Sequence, residues 1–191
     1  METKKRIVNI YTEVPPNPNS MKFCVEFPLV SESVDFPTPT SAVNCPLVAD
    51  IFRFSFVKRV FLSSNFITVT KADDIDWEDV TPMLKSLIKG YLEEGKPLFM
   101  EIPTSTSFVA DPNEPEIVQK IKSLLDEYIR PAVEQDGGAI NFSSFEEGVV
   151  KVQLQGSCSG CPSSTVTLKA GIENLLKRMI PEVKEVVAEG V

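Results

Sequence analysis

Gly148-Val149-Val150-Lys151-Val152-Gln153-Leu154-Gln155-Gly156-Ser157-Cys158-Ser159-Gly160-Cys161-Pro162-Ser163-Ser164-Thr165 is the stretch on which the reading of this chain turns. Val150, Val152 and Leu154 alternate with Lys151, Gln153 and Gln155, the period-2 pattern of a strand with one face buried and one wet. Pro162 suits the first position of a helix, where its missing N–H costs nothing. Two thiols three positions apart therefore stand where a strand hands over to a helix. The unpaired N–H groups and positive dipole end of that helix favour thiolates and an anionic cluster alike. Gly156 and Gly160 let the backbone turn sharply. Ser157, Ser159, Ser163 and Ser164 can donate hydrogen bonds to sulfur. On spacing alone, cluster ligation, a structural zinc and a redox dithiol all remain open.

Working outward, Ser163 to Met179 reads as a helix with Leu168, Ile172, Leu175, Leu176 and Met179 on its core face, ended by Pro181; residues 182–188 suit a short strand. Upstream, Ile140 to Phe145 forms a hairpin with Val149 to Gln155 through Glu146-Glu147-Gly148. Glu114 to Val133 is expected to be helical, with Ile117, Ile121, Leu124, Leu125 and Tyr128 on one face. Asp136-Gly137-Gly138 serves as its stop.

Pro97, Pro103, Pro112 and Pro115, with Ser and Thr between them, read as a connection. The expected division is a domain over 1–105, a linker over 106–113 and a domain over 114–191. In the first domain, Arg6 to Glu13 suits a strand and Pro15-Pro16-Asn17-Pro18-Asn19 a turn. Met21 to Phe27 suits a half-buried strand with Lys22, Cys24 and Glu26 on its polar face. Residues 31–45 read as loop, and Pro46 to Phe54 as a short helix. Val57 to Phe61 and Phe66 to Thr70 pair as strands, and Asp76 to Leu92 forms a helix. The fold class is α+β: two small α/β domains, the second a helix–hairpin–helix (αββα) unit.

Composition removes several function classes. The chain has 191 residues, a net charge of −8, four cysteines and no histidine. An acidic chain without clustered Lys and Arg is a poor nucleic-acid partner, and no apolar run spans a bilayer. Ile7 to Ile10 is too short for a signal core, and Glu2 with few arginines speaks against an organellar leader; the expected location is the cytoplasm. Any zinc or iron site must use thiolates or carboxylates. A four-iron cluster wants four thiolates, and one chain offers two, so a two-fold dimer supplies the rest. A bridged two-iron cluster also fits two cysteines per chain. Zinc within one chain would need Cys24 and Cys45 as a second pair, and the linker argues against that. A thioredoxin-like dithiol sits early in its fold, whereas only 30 residues follow Cys161.

Other residues read more plainly. Asp136-Gly137-Gly138 is a helix stop before it is a cluster environment. Cys24 is an inert, partly covered thiol. Cys45 is a candidate helix cap with a somewhat lowered pKa, or an incidental small residue. Asp73, Asp74, Asp76, Glu78 and Asp79 are placed by a helix dipole. Trp77 is a core or interface anchor.

Tyr128-Ile129-Arg130-Pro131-Ala132-Val133, Asp136-Gly137-Gly138, Leu154 to Thr165 and Pro181-Glu182-Val183 together resemble the NifU C-terminal domain over about residues 114–189. Pro16-Asn17-Pro18-Asn19, Met21-Lys22-Phe23, Val60-Phe61 and Phe66 to Lys71 resemble the Nfu N-terminal domain. The family's usual Thr-Pro-Asn-Pro reads Pro15-Pro16-Asn17-Pro18 here, and Cys45 stands where a serine or similar cap is common. The resemblance implies a non-enzymatic iron–sulfur scaffold or carrier: a [4Fe–4S] cluster shared across a homodimer, with a [2Fe–2S] cluster as the second choice. Cys158 and Cys161 match the family's ligand pair, and apo iron–sulfur proteins and the assembly machinery are the partners. A thiol–disulfide oxidoreductase and a zinc-stapled interaction module are the competing expectations.

Overall fold

The computed structural model describes residues 7–100, 114–159 and 162–190. The expected linker and Cys161 lie outside the described residues. The chain divides into two compact units, residues 1–105 and 106–191.

The first unit is built on an antiparallel sheet of β1 (Ile10–Glu13), β2 (Ser20–Val25), β3 (Val34–Phe36), β4 (Val57–Ser63) and β5 (Phe66–Lys71), in the order β1-β2-β5-β4-β3. Helices α1 (Pro46–Ile51) and α2 (Trp77–Glu93) share one core with Met21, Phe23, Val25, Val60, Leu62, Ile67 and Val69 of the sheet. Leu47, Ile51, Leu84 and Ile88 from the helices are fully buried, and each such side chain contributes about 1.5–3 kcal/mol of burial. Two residues, Ser64 and Asn65, close the β4–β5 hairpin, with Ser64 at φ 34°. The Pro-Asn-Pro-Asn turn is pinned by the Trp77 indole, which donates to the Pro18 carbonyl at 3.0 Å.

The segment expected to be loop at 31–45 contains β3 and a 3-10 turn over Pro39–Ala42. β3 has only three residues and no alternation long enough to read; β4 organises it by pairing. β2 is buried on both faces. It lies between β1 and β5, and Lys22 on the expected wet face is only 7% exposed. The Lys22 ammonium pairs with Glu13 at 3.0 Å and sits 4.3 Å over the Phe66 ring. A long side chain can bury its stem once its charge has a partner.

The second unit runs α3 (Glu116–Leu124), a π-helical turn (Leu125–Ile129) and α4 (Arg130–Gln135), then β6 (Gly138–Glu146), β7 (Val149–Gly156), α5 (Pro162–Met179) and β8 (Glu185–Gly190). The hairpin turn places Glu147 at φ 52° and Gly148 at φ 90°, the two positive angles of a tight two-residue hairpin. β8 extends the expected helix–hairpin–helix by pairing parallel to β7, with Val150 opposite Val186. A parallel neighbour needs a long crossover, and α5 supplies it.

The π turn alters the expected helix face. Pro131 has no N–H to return to the carbonyl four residues back, and its ring crowds that carbonyl; a widened turn relieves the crowding. The extra residue advances the helical phase. Tyr128, expected in the core, is 52% exposed, and Ile129 is buried in its place. Met179 departs likewise: α5 ends there, Met179 is exposed and Ile180 is buried. Among the described residues no helix is long and apolar enough to cross a membrane.

Candidate functional site

Cys158 lies in a 3-10 turn, Ser157–Ser159, between the end of β7 and the start of α5. α5 opens on Pro162 and runs 18 residues with Lys177 and Arg178 in its last turn. Its dipole therefore presents positive charge toward the cysteine segment. Gly156, the last residue of β7, takes φ 70° and turns the chain out of the sheet, a conformation an L side chain resists.

The turn is docked on the Asp136–Gly138 segment that ends α4. Ser157 donates its amide to the Gly137 carbonyl at 3.3 Å and its hydroxyl to the Asp136 carbonyl. Gly137 takes φ 80°, the helix stop expected of it. The second glycine does something the sequence did not reveal. A Cβ on Gly138 would stand 2.5 Å from the Gln155 carbonyl oxygen and 2.9 Å from Cys158 Sγ. Gly138 also pairs with Gly156 at the end of the β6–β7 ladder. Two glycines facing one another thus bring the backbone of β6 against the thiol. Asp-Gly-Gly is the signal from which this approach could have been suspected, but nothing local tells which glycine answers to a turn and which to a neighbour.

Cys158 is 3% exposed and belongs to the buried core cluster of its unit, with Ile121, Ile140, Val152, Leu154, Ile172 and Leu176 among the members. Cys161, its predicted partner, is outside the described residues.

The other two cysteines sit in the first unit. Cys24 on β2 is buried, and burial pushes its thiol up to about 11, helped by the Glu13 carboxylate and opposed by Lys22. Cys45 directly precedes α1, and the Val48 N–H in the first turn of that helix pulls its thiol down, though no well-formed capping hydrogen bond is made. Burial raises it to about 11 as well, against the lowered value expected of a helix cap. Desolvation dominates here because the site is fully buried and α1 has only six residues to offer a dipole. Glu78 and Asp79 of the acidic run occupy the first turn of α2, with Asp76 before it. Among the described residues, no three or more Cys, Asp or Glu gather as a metal site.

Residues 121–187 match the NifU-like domain and residues 10–95 match the N-terminal domain of the scaffold protein Nfu/NifU. The chain is 43% identical over 183 residues to the human "NFU1 iron-sulfur cluster scaffold homolog, mitochondrial", covering 95% of this chain and 72% of that protein. It is 41% identical over 191 residues to "NifU-like protein 4, mitochondrial" of Arabidopsis thaliana, covering 97% and 68%. A solution NMR structure of a NifU-like protein from Saccharomyces cerevisiae overlaps 53% of this chain and 92% of its own, at a TM-score of 0.47 and 21% identity. The human and Arabidopsis relatives are mitochondrial proteins by name, which corrects the cytoplasmic location expected from the sequence. That expectation leaned on the makeup of a few N-terminal residues, a weak indicator of destination. With both halves matched in the same order and two fifths of the residues identical, the chain belongs to the Nfu/NifU-like family of iron–sulfur cluster scaffold proteins.

Proposed function

We propose that this protein is a non-enzymatic carrier that holds a [4Fe–4S] cluster between two copies of itself, on Cys158 and Cys161 of each, and delivers it to apo iron–sulfur proteins. The observation that carries the reading is the placement of Cys158: in a glycine-flanked turn immediately ahead of an 18-residue helix. That placement sets the cysteine segment at the positive end of a helix dipole, which favours thiolate sulfur. Cys24 and Cys45 lie in the first unit, on a strand and ahead of a six-residue helix, with thiols raised to about 11, a poor state for a metal ligand, which must be deprotonated.

Two ligands per subunit make the cargo releasable. Loosening a symmetric pair exposes the cluster to incoming thiolates of an acceptor, whereas four ligands from one chain would lock it in. The names of the relatives support a mitochondrial setting for this exchange.

Anaerobic reconstitution with iron and sulfide tests the reading. The expected outcome is a broad visible charge-transfer absorption with about four iron atoms per two chains and a shift of the loaded form to dimer mass. Equal loading of a Cys158→Ala, Cys161→Ala double variant would overturn it.

A further inference from the structure

We propose that Gly138 and Ser157 are positioning residues for Cys158: they hold its thiol inside the core of the second unit while the chain carries no cluster, and the thiol must leave that position to ligate iron. The proposal deepens the reading of Cys158 as a ligand and takes its meaning from it.

Cys158 is 3% exposed and belongs to a core of Ile, Leu and Val side chains. A cluster shared between two subunits has to meet its ligands at a surface. A sulfur inside the apolar core of one subunit cannot also reach iron held at the interface of two. The core position and the ligating position are therefore different states of one side chain. The proton of the thiol passes to solvent when the sulfur binds iron, so the change needs no oxidant or reductant.

Gly138 makes the core position available. A Cβ there would meet the Gln155 carbonyl oxygen at 2.5 Å and Cys158 Sγ at 2.9 Å, so any other residue would press both on the end of β7 and on the place the sulfur uses. Ser157 fastens the turn from the other side, through its amide to Gly137 and its hydroxyl to Asp136. Both fastenings end on the Asp136–Gly138 segment, so one small movement of the turn away from that segment frees ligand and lock together. A thiol buried in apolar surroundings is inert. The arrangement thus shields a ligand from alkylation and oxidation until cargo arrives.

The test is the rate at which iodoacetamide modifies Cys158 in the cluster-free full chain, read by peptide mass spectrometry beside the urea-unfolded chain. Cys158 should react roughly 100-fold or more slowly in the folded chain, because reaction awaits local opening. Ser157→Ala should speed the reaction about five- to tenfold, the effect of losing one buried hydrogen bond. Gly138→Ala should speed it about tenfold or more. In both variants, hydrogen exchange at the Val152 amide should stay as in the parent, which separates release of the thiol from loosening of the whole unit. Should Gly138→Ala fail to fold, Ser157→Ala decides. Reaction of the parent Cys158 within about threefold of the unfolded rate would overturn the proposal. So would an unchanged rate in folded Ser157→Ala. No cluster enters this measurement, so its failure would leave the reconstitution result of the double cysteine variant standing, and the reverse.

Discussion

Glu173, on α5, accepts the backbone N–H of Val186, on β8, at 3.1 Å. Its other oxygen takes the Lys177 ammonium at 2.5 Å. One carboxylate thereby fastens the crossover helix to the strand it delivers. The Lys177 hydrogen bond, followed by that of Val186, holds the Glu173 carboxyl below its ordinary value of 4.5. A depressed folded-state pKa stabilises above the unfolded value and is lost as pH falls through the folded one. Lowering the pH below 4.5 should therefore reduce the protection of the Val186 amide, relative to its intrinsic exchange rate at each pH, before the second unit unfolds. Glu173→Gln should remove this acid dependence and show faster exchange at neutral pH. An acid dependence that survives Glu173→Gln would assign it to another group.

Arg59 and Asp35 join β4 to β3 through a two-nitrogen pair, Nε to Oδ1 at 2.9 Å and Nη2 to Oδ2 at 2.5 Å. The Asp35 side chain is 5% exposed. Removing one partner of a buried pair leaves a charge without compensation, so Arg59→Ala should cost the first unit about 3 kcal/mol. Arg59→Lys should fall between, since an ammonium cannot reproduce the fork. Thermal unfolding followed at Trp77 would report the first unit alone, because that residue is the only tryptophan.

Cys24 and Cys45 have thiols raised from an ordinary 9.0 to about 11 by burial. A raised folded-state value adds stability below the unfolded value, lost as pH rises through the folded one. The first unit should therefore weaken between about pH 9 and 11. A Cys24→Ala, Cys45→Ala variant should show less of that alkaline loss while starting from lower stability, about 1 kcal/mol per lost sulfur. Denaturant melts at pH 8 and 10.5 would measure both effects.

Gly148 turns the β6–β7 hairpin at φ 90°, and a Cβ there would come 2.8 Å from the Glu182 carbonyl oxygen. Its own carbonyl accepts the amides of Lys184 and Glu185, at 2.7 and 3.3 Å, just where β8 begins. Gly148→Ala should destabilise the second unit by about 1–3 kcal/mol, and loosen the start of β8 more than the middle of β7. Equal loss of amide protection along both strands would contradict this.

Much of the fold is readable residue by residue. The alternation of Val150, Val152 and Leu154 yields β7, Glu147-Gly148 the hairpin, and the spacing of Val80, Leu84 and Ile88 the helix α2. What escaped were features set by partners far away in the chain. β3 exists because β4 offers it an edge. Tyr128 and Ile129 exchange places because Pro131 widens the turn before it. Lys22 is buried because Glu13 and Phe66 are there to receive it.

The candidate site divides in the same way. From the sequence alone came the α/β character of both halves, the strand–turn–helix around the cysteines, and Cys158 with Cys161 as the ligand pair to examine, because periodicity, proline and glycine act within a few residues. The tertiary structure alone decided that β8 closes the sheet in parallel and that Cys24 and Cys45 are sealed away with raised thiols. It also decided that Cys158 lies in the core with its sulfur against Gly138. Burial and close contact are properties of chain segments brought together from a distance, and no local pattern encodes which segments those will be.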